Sequence, residues 1–330
     1  MKNFMRIGIA VIIAIAFSGC AGTPDFSTFP ADNGVVNPVV IFGKKAKEFN
    51  AAGHQFTAPK PLAVDSEGNI YTAGKAFDFS KFAADGTYVS IIGVKGKEKN
   101  QWNYPKGIAT AKNGNIYLAD SYNIKIMVYD KAGKFLMEFG EKGDEAHQLS
   151  DIGPCSVDAD GNFYVADEGA IPGIKKFGPD GKFISIVVPV VDEGKPGNKV
   201  LSWSAIDDEL GRLYAGDDGD GDVDVFDLKT EKYLFSFGGH GVEAGQFAED
   251  LSGIAVGPYN LVFVADESDG TIQVYTPEGK YVTQWGKAGI YEGEMAAVEG
   301  IAYDPENNRI VVADEGNFRI QSFALKDIGF

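Results

Sequence analysis

The stretch PKGIATAKNGNIYLADSYNIKIMVYDKAGKFLMEFG, residues 105–140, contains four short runs rich in Val, Ile, Tyr and Phe. Gly, Asn and Asp separate the runs, which is typical of antiparallel strands joined by tight turns. The same frame recurs at intervals of 46 to 50 residues, and one Ala in the second run marks each copy. The six markers are Ala73, Ala119, Ala166, Ala215, Ala265 and Ala313. Repeats of this length and strand content predict a β-propeller of six blades.

The last copy of the frame has three runs, ending with residues 318–323, and lacks the fourth. A run of the missing type, VVIFG, lies near the other end of the chain at residues 39–43. We therefore expect an all-β, six-bladed β-propeller over residues 37–330, with four antiparallel strands per blade. The N-terminal strand 39–43 would complete the last blade, which removes two open sheet edges.

The first residues have the character of a targeting segment. Lys2 and Arg6 flank an apolar run, residues 7–17, that is too short to span a bilayer. The next residues, Phe17-Ser18-Gly19-Cys20, resemble a bacterial lipobox, in which the Cys carries the lipid. The resemblance implies a signal peptide (1–19), then a lipidated Cys20 and flexible tether (20–36). It also implies a membrane anchor in a bacterial cell envelope, and Ala21 after the Cys favours the outer membrane.

Composition limits the partners. The chain has 47 acidic and 30 basic residues, a formal net charge of −17. Nucleic acid is an unsuitable partner, because binding to phosphates needs clustered Lys and Arg. Two cysteines cannot form a disulfide framework. With Cys20 acylated, Cys155 lies in an apolar run and is expected to be a buried free thiol.

Some segments resemble the NHL repeat. They are Ala119-Asp120-Ser121-Tyr122-Asn123, Ala313-Asp314-Glu315-Gly316-Asn317 and Gly245-Gln246-Phe247. The resemblance spans about residues 38–330 and implies the propeller fold. NHL-type propellers include scaffolds, sensors, RNA binders and lyases, so the resemblance implies no single activity.

In an antiparallel blade, the loops between strands two and three lie on the same face as the loops that enter the next blade. We call this the variable-loop face, because these loops differ most between copies. A site is expected there, at the mouth of the central channel. The ligand-binding candidates are Lys60, Lys106, Trp203 and Glu299.

The variable-loop face is expected to be acidic, because Asp or Asp-Glu follows the second run in most copies. One interpretation is an electrostatic funnel for cations or a cationic partner. The other is that each Asp accepts hydrogen bonds from loop amides and shapes the turn. Residues 217–224, DDGDGDVD, add alternating carboxylates that suit Ca²⁺, although an exposed acidic turn would look the same. The candidate metal ligands are Asp218, Asp220, Asp222, Glu299 and Glu315.

Two families of propeller enzymes carry metal ligands at comparable positions. Glu299-Gly300 and Ala313-Asp314-Glu315 resemble one blade of calcium-dependent propeller phytases, which implies a calcium ligand at Glu299. Amidating-lyase propellers carry zinc histidines at the entrance to the first strand, but here those positions hold other residues. They are Lys60, Lys106, Gly153, Ser202, Ser252 and Glu299. The three histidines, His54, His147 and His240, do not share one frame, which disfavours zinc.

No complete catalytic set is present, so we expect a protein without enzymatic activity and with calcium as a possible cofactor. The favoured function is a lipid-anchored binding or scaffold propeller that uses its acidic variable-loop face to bind a protein or small ligand. The alternative is a calcium-dependent hydrolase, phytase-like or lactonase-like, with its site at the channel mouth. A structural spacer in a larger envelope complex is a third interpretation.

Overall fold

The computed structural model describes residues 32, 34–43, 58–74, 79–187, 201–217, 219–248 and 251–330. The predicted signal peptide, Cys20 and most of the predicted tether lie outside these residues. The described chain forms six four-stranded antiparallel sheets, the blades of a β-propeller, as the repeat predicted. Within this part of the chain, no helix has the length and hydropathy needed to cross a membrane.

The strands of each blade follow one another from the channel outward. Blades one and two contain β2 (Pro59–Val64), β3 (Ile70–Gly74), β4 (Phe79–Phe82) and β5 (Tyr88–Ile91), then β8 (Pro105–Thr110), β9 (Ile116–Asp120), β10 (Lys125–Tyr129) and β11 (Phe135–Phe139). Blades three and four contain β12 (Ile152–Val157), β13 (Phe163–Asp167), β14 (Gly173–Phe177) and β15 (Phe183–Val187), then β16 (Leu201–Asp207), β17 (Arg212–Asp217), β18 (Asp222–Asp227) and β19 (Tyr233–Gly238). Blades five and six contain β20 (Leu251–Val256), β21 (Val262–Asp266), β22 (Thr271–Tyr275) and β23 (Tyr281–Gly286), then β24 (Val298–Asp304), β25 (Arg309–Asp314), β26 (Arg319–Ala324) and β1 (Val40–Phe42).

Short elements complete the chain. A parallel pair, β6 (Val94–Lys95) and β7 (Gln101–Trp102), lies in the loop between blades one and two. A 3₁₀ turn spans Pro258–Asn260, and the helix α1 (Leu325–Ile328) follows the last strand.

The hydrophobic core lies between neighbouring blades. In β9 and β13 every residue is buried, because both faces of a second strand are covered by the adjacent blades. One core cluster, for example, joins Trp285 of blade five to Phe323 of blade six, with ring centroids 5.9 Å apart. This double burial explains why the second runs of the sequence are almost continuously apolar.

The innermost strands approach one another too closely for side chains at some points. A Cβ on Gly300 would lie 2.6 Å from the carbonyl oxygen of Lys60, and one on Gly107 would lie 2.7 Å from that of Gly153. Glycine at these positions therefore allows adjacent first strands to pack, and the packing narrows the central channel.

The N-terminal strand closes the ring, as predicted from its sequence. β1 pairs antiparallel with β26, with Val40 opposite Ser322, and the Val39 N–H donates to the Ser322 carbonyl at 2.7 Å. Phe42 then packs against Phe82 of blade one, with ring centroids 4.9 Å apart. The preceding residues contact blade five, because the Gly286 N–H donates to the Gly34 carbonyl at 2.8 Å. This N-terminal segment thus joins blades five, six and one.

The closure generates a prediction for stability. The substitution Phe42→Ala removes the aromatic contact between blades six and one, and we expect the free energy of unfolding to fall by about 2 kcal/mol. Leu136→Ala is the control, because Leu136 is an outer-strand residue that is 46% exposed, and it should cost less than about 0.5 kcal/mol. Denaturant unfolding followed by tryptophan fluorescence measures both. An equal loss of unfolding free energy in the two variants would mean that the Phe42–Phe82 contact does not stabilise the ring closure.

Candidate functional site

Five of the six second strands end in a fully buried Asp. They are Asp120, Asp167, Asp217, Asp266 and Asp314, each with 0% exposure. Four of them accept hydrogen bonds from backbone N–H groups of the loop that enters the same blade. The donors are Asn103 and Tyr104 to Asp120, Ser150 and Asp151 to Asp167, Ala248 to Asp266, and Ala296 to Asp314. The repeated Asp is therefore a loop-organising residue, the second of the two interpretations of the sequence.

The buried carboxylates differ in how their charge is balanced. Lys175 contacts Asp167 at 2.7 Å, and the Arg319 Nε contacts Asp314 at 2.8 Å. Burial favours the protonated form of Asp167, but Lys175 and the loop amides outweigh it and lower its pKa. Asp266 has loop amides as its partners, and burial raises its pKa. The pKa of the repeated Asp is therefore lowered in blade three and raised in blade five.

Blade four carries acids where other blades carry a cation or an amide. Asp222 and Asp224 stand at the strand-three positions that Arg319 and Gln321 occupy in blade six. One oxygen from each of Asp217, Asp222 and Asp224 lies within 4.8 Å of the others. Three converging carboxylates can hold a hard cation such as Ca²⁺.

This group differs from the metal set predicted from the sequence. Asp222 belongs to it, whereas Asp220 lies in the adjoining turn and is not part of it, and Asp218 lies outside the described residues. Asp217 and Asp224 are the members that the sequence reasoning missed. The alternation Asp222-Val223-Asp224 on strand three was the available signal, because alternate residues of a strand share a face.

The second cluster lies at the channel mouth, where blade six meets blade one. The Lys60 Nζ on β2 donates to Glu299 on β24, and it lies 3.0 Å from the Glu315 Oε2 in the loop after β25. The structure therefore brings together two of the four predicted ligand-binding residues, Lys60 and Glu299, and both glutamates of the predicted metal set, Glu299 and Glu315.

The charged groups of this cluster shift one another's pKa values. Burial and the neighbouring Glu315 raise the pKa of Glu299 to about 7, despite the opposing effect of Lys60. Burial lowers the pKa of Lys60, but hydrogen bonds to the two glutamates outweigh it and raise the pKa above its ordinary value. Lys60 is consequently a charged counterion, unsuited to act as a neutral amine nucleophile.

The other two ligand-binding candidates line the channel. Lys106 and Trp203 border a cavity of about 50 Å³, which has room for a few water molecules but not for a typical organic ligand. Lys106 also pairs with Asp151 at 3.2 Å. Burial raises the pKa of Glu168, near Lys106, although the lysine opposes the shift. The four candidates thus do not form one binding pocket.

The remaining reactive side chains lie elsewhere. His147 is 4.0 Å from Glu141 on an exposed loop, and His240 packs over Gly221. His54 lies outside the described residues. Cys155 is a free thiol, as predicted, but it is partly rather than fully buried and borders the channel cavity; burial raises its pKa.

Comparisons with known proteins support the repeat and the fold. Residues 298–323 match the family model of the NHL repeat. The chain is 36% identical over 69 residues to the RING finger protein nhl-1 of Caenorhabditis elegans, a match that covers 21% of this chain and 7% of that protein. It is 27% identical over 142 residues to the probable peptidyl-alpha-hydroxyglycine alpha-amidating lyase pgal-1 of the same species, covering 40% and 41% of the two chains. The chain thus spans less than half the length of either relative.

Solved structures confirm the propeller architecture. A protein of unknown function from Bacteroides thetaiotaomicron superposes with a TM-score of 0.65 at 15% identity, covering 87% of this chain and 75% of that one. The β-propeller domain of Cps50 (Swd1) from Myceliophteria thermophila gives a TM-score of 0.52 at 11% identity, covering 82% and 97%. At these identities the similarities show the fold and leave the function open.

The raised pKa of Glu299 predicts a pH-dependent effect on stability. The folded state binds the Glu299 proton more tightly than the unfolded chain, so this group's contribution to stability is largest in acid and falls as pH rises through 7. Glu299→Gln lacks this titration. We therefore expect the free energy of unfolding of the variant, measured relative to wild type, to be about 1 kcal/mol higher at pH 8 than at pH 5. Thermal unfolding at both pH values measures this difference. Glu145→Gln, in an exposed loop, is the control, and an equal effect would contradict the assignment.

The acidic cluster of blade four predicts a response to calcium. Asp224→Gln installs the residue that stands at the same strand position in blades five and six, Gln273 and Gln321. We expect Ca²⁺ to raise the melting temperature of the wild type by a few degrees and to have little effect on the variant. Glu243→Gln, an exposed loop acid, should respond as the wild type does. An equal calcium response in Asp224→Gln would exclude a site at the three carboxylates.

Proposed function

We propose that the protein is a lipid-anchored propeller of the bacterial cell envelope that binds a partner through its variable-loop face and catalyses no reaction. The observation that carries the proposal is the set of ion pairs at the channel mouth. Its lysines are already paired with carboxylates, Lys60 with Glu299 and Glu315, and Lys106 with Asp151. The cavity of about 50 Å³ that Lys106 and Trp203 border does not hold a typical organic ligand, so the ring of loops around the mouth offers the larger recognition surface.

Anion-binding chemistry is disfavoured at this mouth. A site for a phosphate ester needs several converging cationic donors that are available to the substrate. Lys60 donates to two glutamates, and Lys106 faces Asp151. The acidic surroundings would instead favour cationic groups of a partner.

The alternative function is a calcium-dependent hydrolase, and the cluster of Asp217, Asp222 and Asp224 supports it. A lyase resembling the C. elegans relative is a further enzymatic possibility, on sequence similarity alone. At the entrances to the first strands, where that family carries its zinc histidines, this chain has Lys60, Lys106, Gly153, Ser202, Ser252 and Glu299. Binding without catalysis therefore accounts best for the arrangement.

The proposal predicts the behaviour of a cysteine variant. In a bacterial host supplied with an alkyne-tagged fatty acid, the wild type should take up the label and sediment with the membrane fraction. Cys20→Ser should lose the label and become soluble, because attached acyl chains provide the stable anchor. Cys155→Ser keeps Cys20 and should behave as the wild type does. An unlabelled wild type would overturn the anchoring part of the proposal.

A substrate screen tests the absence of catalysis. Wild type and Glu299→Gln are assayed with phosphate esters and lactones in the presence of Ca²⁺, and we expect no turnover by either. Turnover that the substitution abolishes would establish the hydrolase and overturn the binding function.

A further inference from the structure

Four loops that enter the blades share one hydrogen-bonded form. We call residues 96–102, 143–149, 241–247 and 289–295 the entry loops of blades two, three, five and six. In each, the first residue is Gly, and its N–H donates to the carbonyl of the seventh residue at 2.7 to 3.0 Å. A second backbone bond in each loop runs from the sixth residue to the third.

The same side-chain bond stabilises all four entry loops. The third residue donates its backbone N–H to the side-chain oxygen of the sixth, at 3.1 Å in each case. The acceptors are Gln101, Gln148, Gln246 and Glu294. This side chain lies against the first residue, where a Cβ would come within about 2 Å of it, so a larger residue than Gly would displace the side chain that closes the loop. The conformation thus depends on the first and sixth residues.

The second residue of the entry loop is free of these constraints. It is Lys97 in blade two, Asp144 in blade three, Val242 in blade five and Ile290 in blade six. Since charged residues occupy the same position in two loops of the same form, folding does not require an apolar residue there. Val242 and Ile290 are nevertheless 95% and 70% exposed. Exposed apolar side chains mark an interaction surface where further apolar residues lie beside them.

Neighbouring residues enlarge this apolar surface. Tyr291 follows Ile290 and is 71% exposed. Val35, in the N-terminal segment that crosses blade five, is 43% exposed and lies beside Gly293 of the same entry loop. We call Val35, Val242, Ile290 and Tyr291 the apolar rim. Val35, Ile290 and Tyr291 belong to one entry loop and the segment beside it, and Val242 holds the same position as Ile290 in the entry loop of the adjacent blade.

The charges around the apolar rim indicate its partner. Glu243 and Glu292 are exposed next to Val242 and Tyr291. The nearby Lys287 is paired with Glu294 at 2.9 Å, and the chain as a whole carries a net charge of −17. This arrangement repels an anionic lipid surface and attracts Lys or Arg side chains.

We propose that the apolar rim docks a protein segment that presents apolar residues flanked by Lys and Arg. The inference rests on the proposed binding function and gives it a location and a partner chemistry. The apolar side chains supply the buried contact area, and the flanking glutamates select basic partners and speed their association. Tyr291 combines a large contact area with a hydroxyl that can hydrogen-bond to the partner.

The test uses the full chain and synthetic peptides of defined composition. One peptide combines Leu with Lys, a second replaces Leu by Ser, and a third replaces Lys by Glu. We expect the wild type to bind the Leu/Lys peptide, with an affinity that falls as salt rises, and to bind the other two at least about tenfold more weakly. Fluorescence anisotropy of labelled peptides measures the three affinities.

The test variant carries residues that this loop position already accommodates, Val242→Lys and Ile290→Asp together. We expect at least a tenfold loss of affinity for the Leu/Lys peptide, with an unchanged melting temperature. Leu136→Lys is the matched control, because it also replaces an exposed apolar residue, but on the outer strand of blade two. The control should bind the peptide as the wild type does.

Three results would overturn the inference. They are no binding by the wild type, equal binding by the double variant, and binding of the Ser/Lys peptide as tight as that of the Leu/Lys peptide. Binding to phosphatidylglycerol vesicles that only the double variant loses would assign the apolar rim to a membrane surface instead. If the double variant still binds the Leu/Lys peptide, the protein remains a binding propeller but its binding site lies elsewhere. Turnover in the substrate screen would instead overturn the proposed binding function itself.

Discussion

The organisation of the variable-loop face depends on a carboxylate buried at the end of the second strand. A buried carboxylate is costly unless it is hydrogen-bonded, and in blades two, three, five and six it accepts hydrogen bonds from the amides of the entering loop. The bond therefore joins the strand end to the loop that leads into the same blade. Removing the acceptor would leave buried donors unsatisfied, which is why the residue recurs although it lies on the face expected to carry function.

Because this framework holds the backbone, the positions around it are free to differ. Strand three supplies Lys175 to the carboxylate in blade three and Arg319 in blade six, whereas blade four supplies two further acids. The entry loops follow the same principle. Their first residue is Gly and their sixth is Gln or Glu, whereas their second residue differs from blade to blade. A repeat of this kind can acquire a cation site in one blade and an apolar docking surface in two others without altering its fold.

The ring closure combines several weak interactions at different distances from the channel. Lys60 joins blade one to Glu299 and Glu315 of blade six at the inner edge. At the outer edge β1 completes the sheet of blade six, and its Phe42 packs on Phe82 of blade one. On the opposite face, Arg309 donates to the Ala84 carbonyl of blade one as well as to Asp304. Neighbouring blades bury each other's apolar strands, so an open ring would expose a core surface, and the closure contributes to the stability of the whole molecule.

Most of the architecture follows from local pattern. Turn residues, alternation and the spacing of the markers determine the strands and the six blades, and the missing fourth run identifies the strand at 39–43 as the closing one. The sequence also indicated the mouth residues Lys60 and Glu299 and the loop-organising Asp. It did not indicate that Asp217 and Asp224 join Asp222, or that Lys106 faces Asp151 rather than the Lys60 cluster.

The sequence by itself thus determined the fold and the closing strand, because the repeated frame, and the one run missing from its last copy, can be identified along the chain. The tertiary structure alone decided which charges meet, since Lys60 and Glu299 are 239 residues apart and come together only through closure of the ring. It also decided which apolar residues have a structural role. Val242 and Ile290 are aliphatic, yet the shared loop form places them in water, because burial depends on where the backbone directs a side chain as well as on its hydrophobicity.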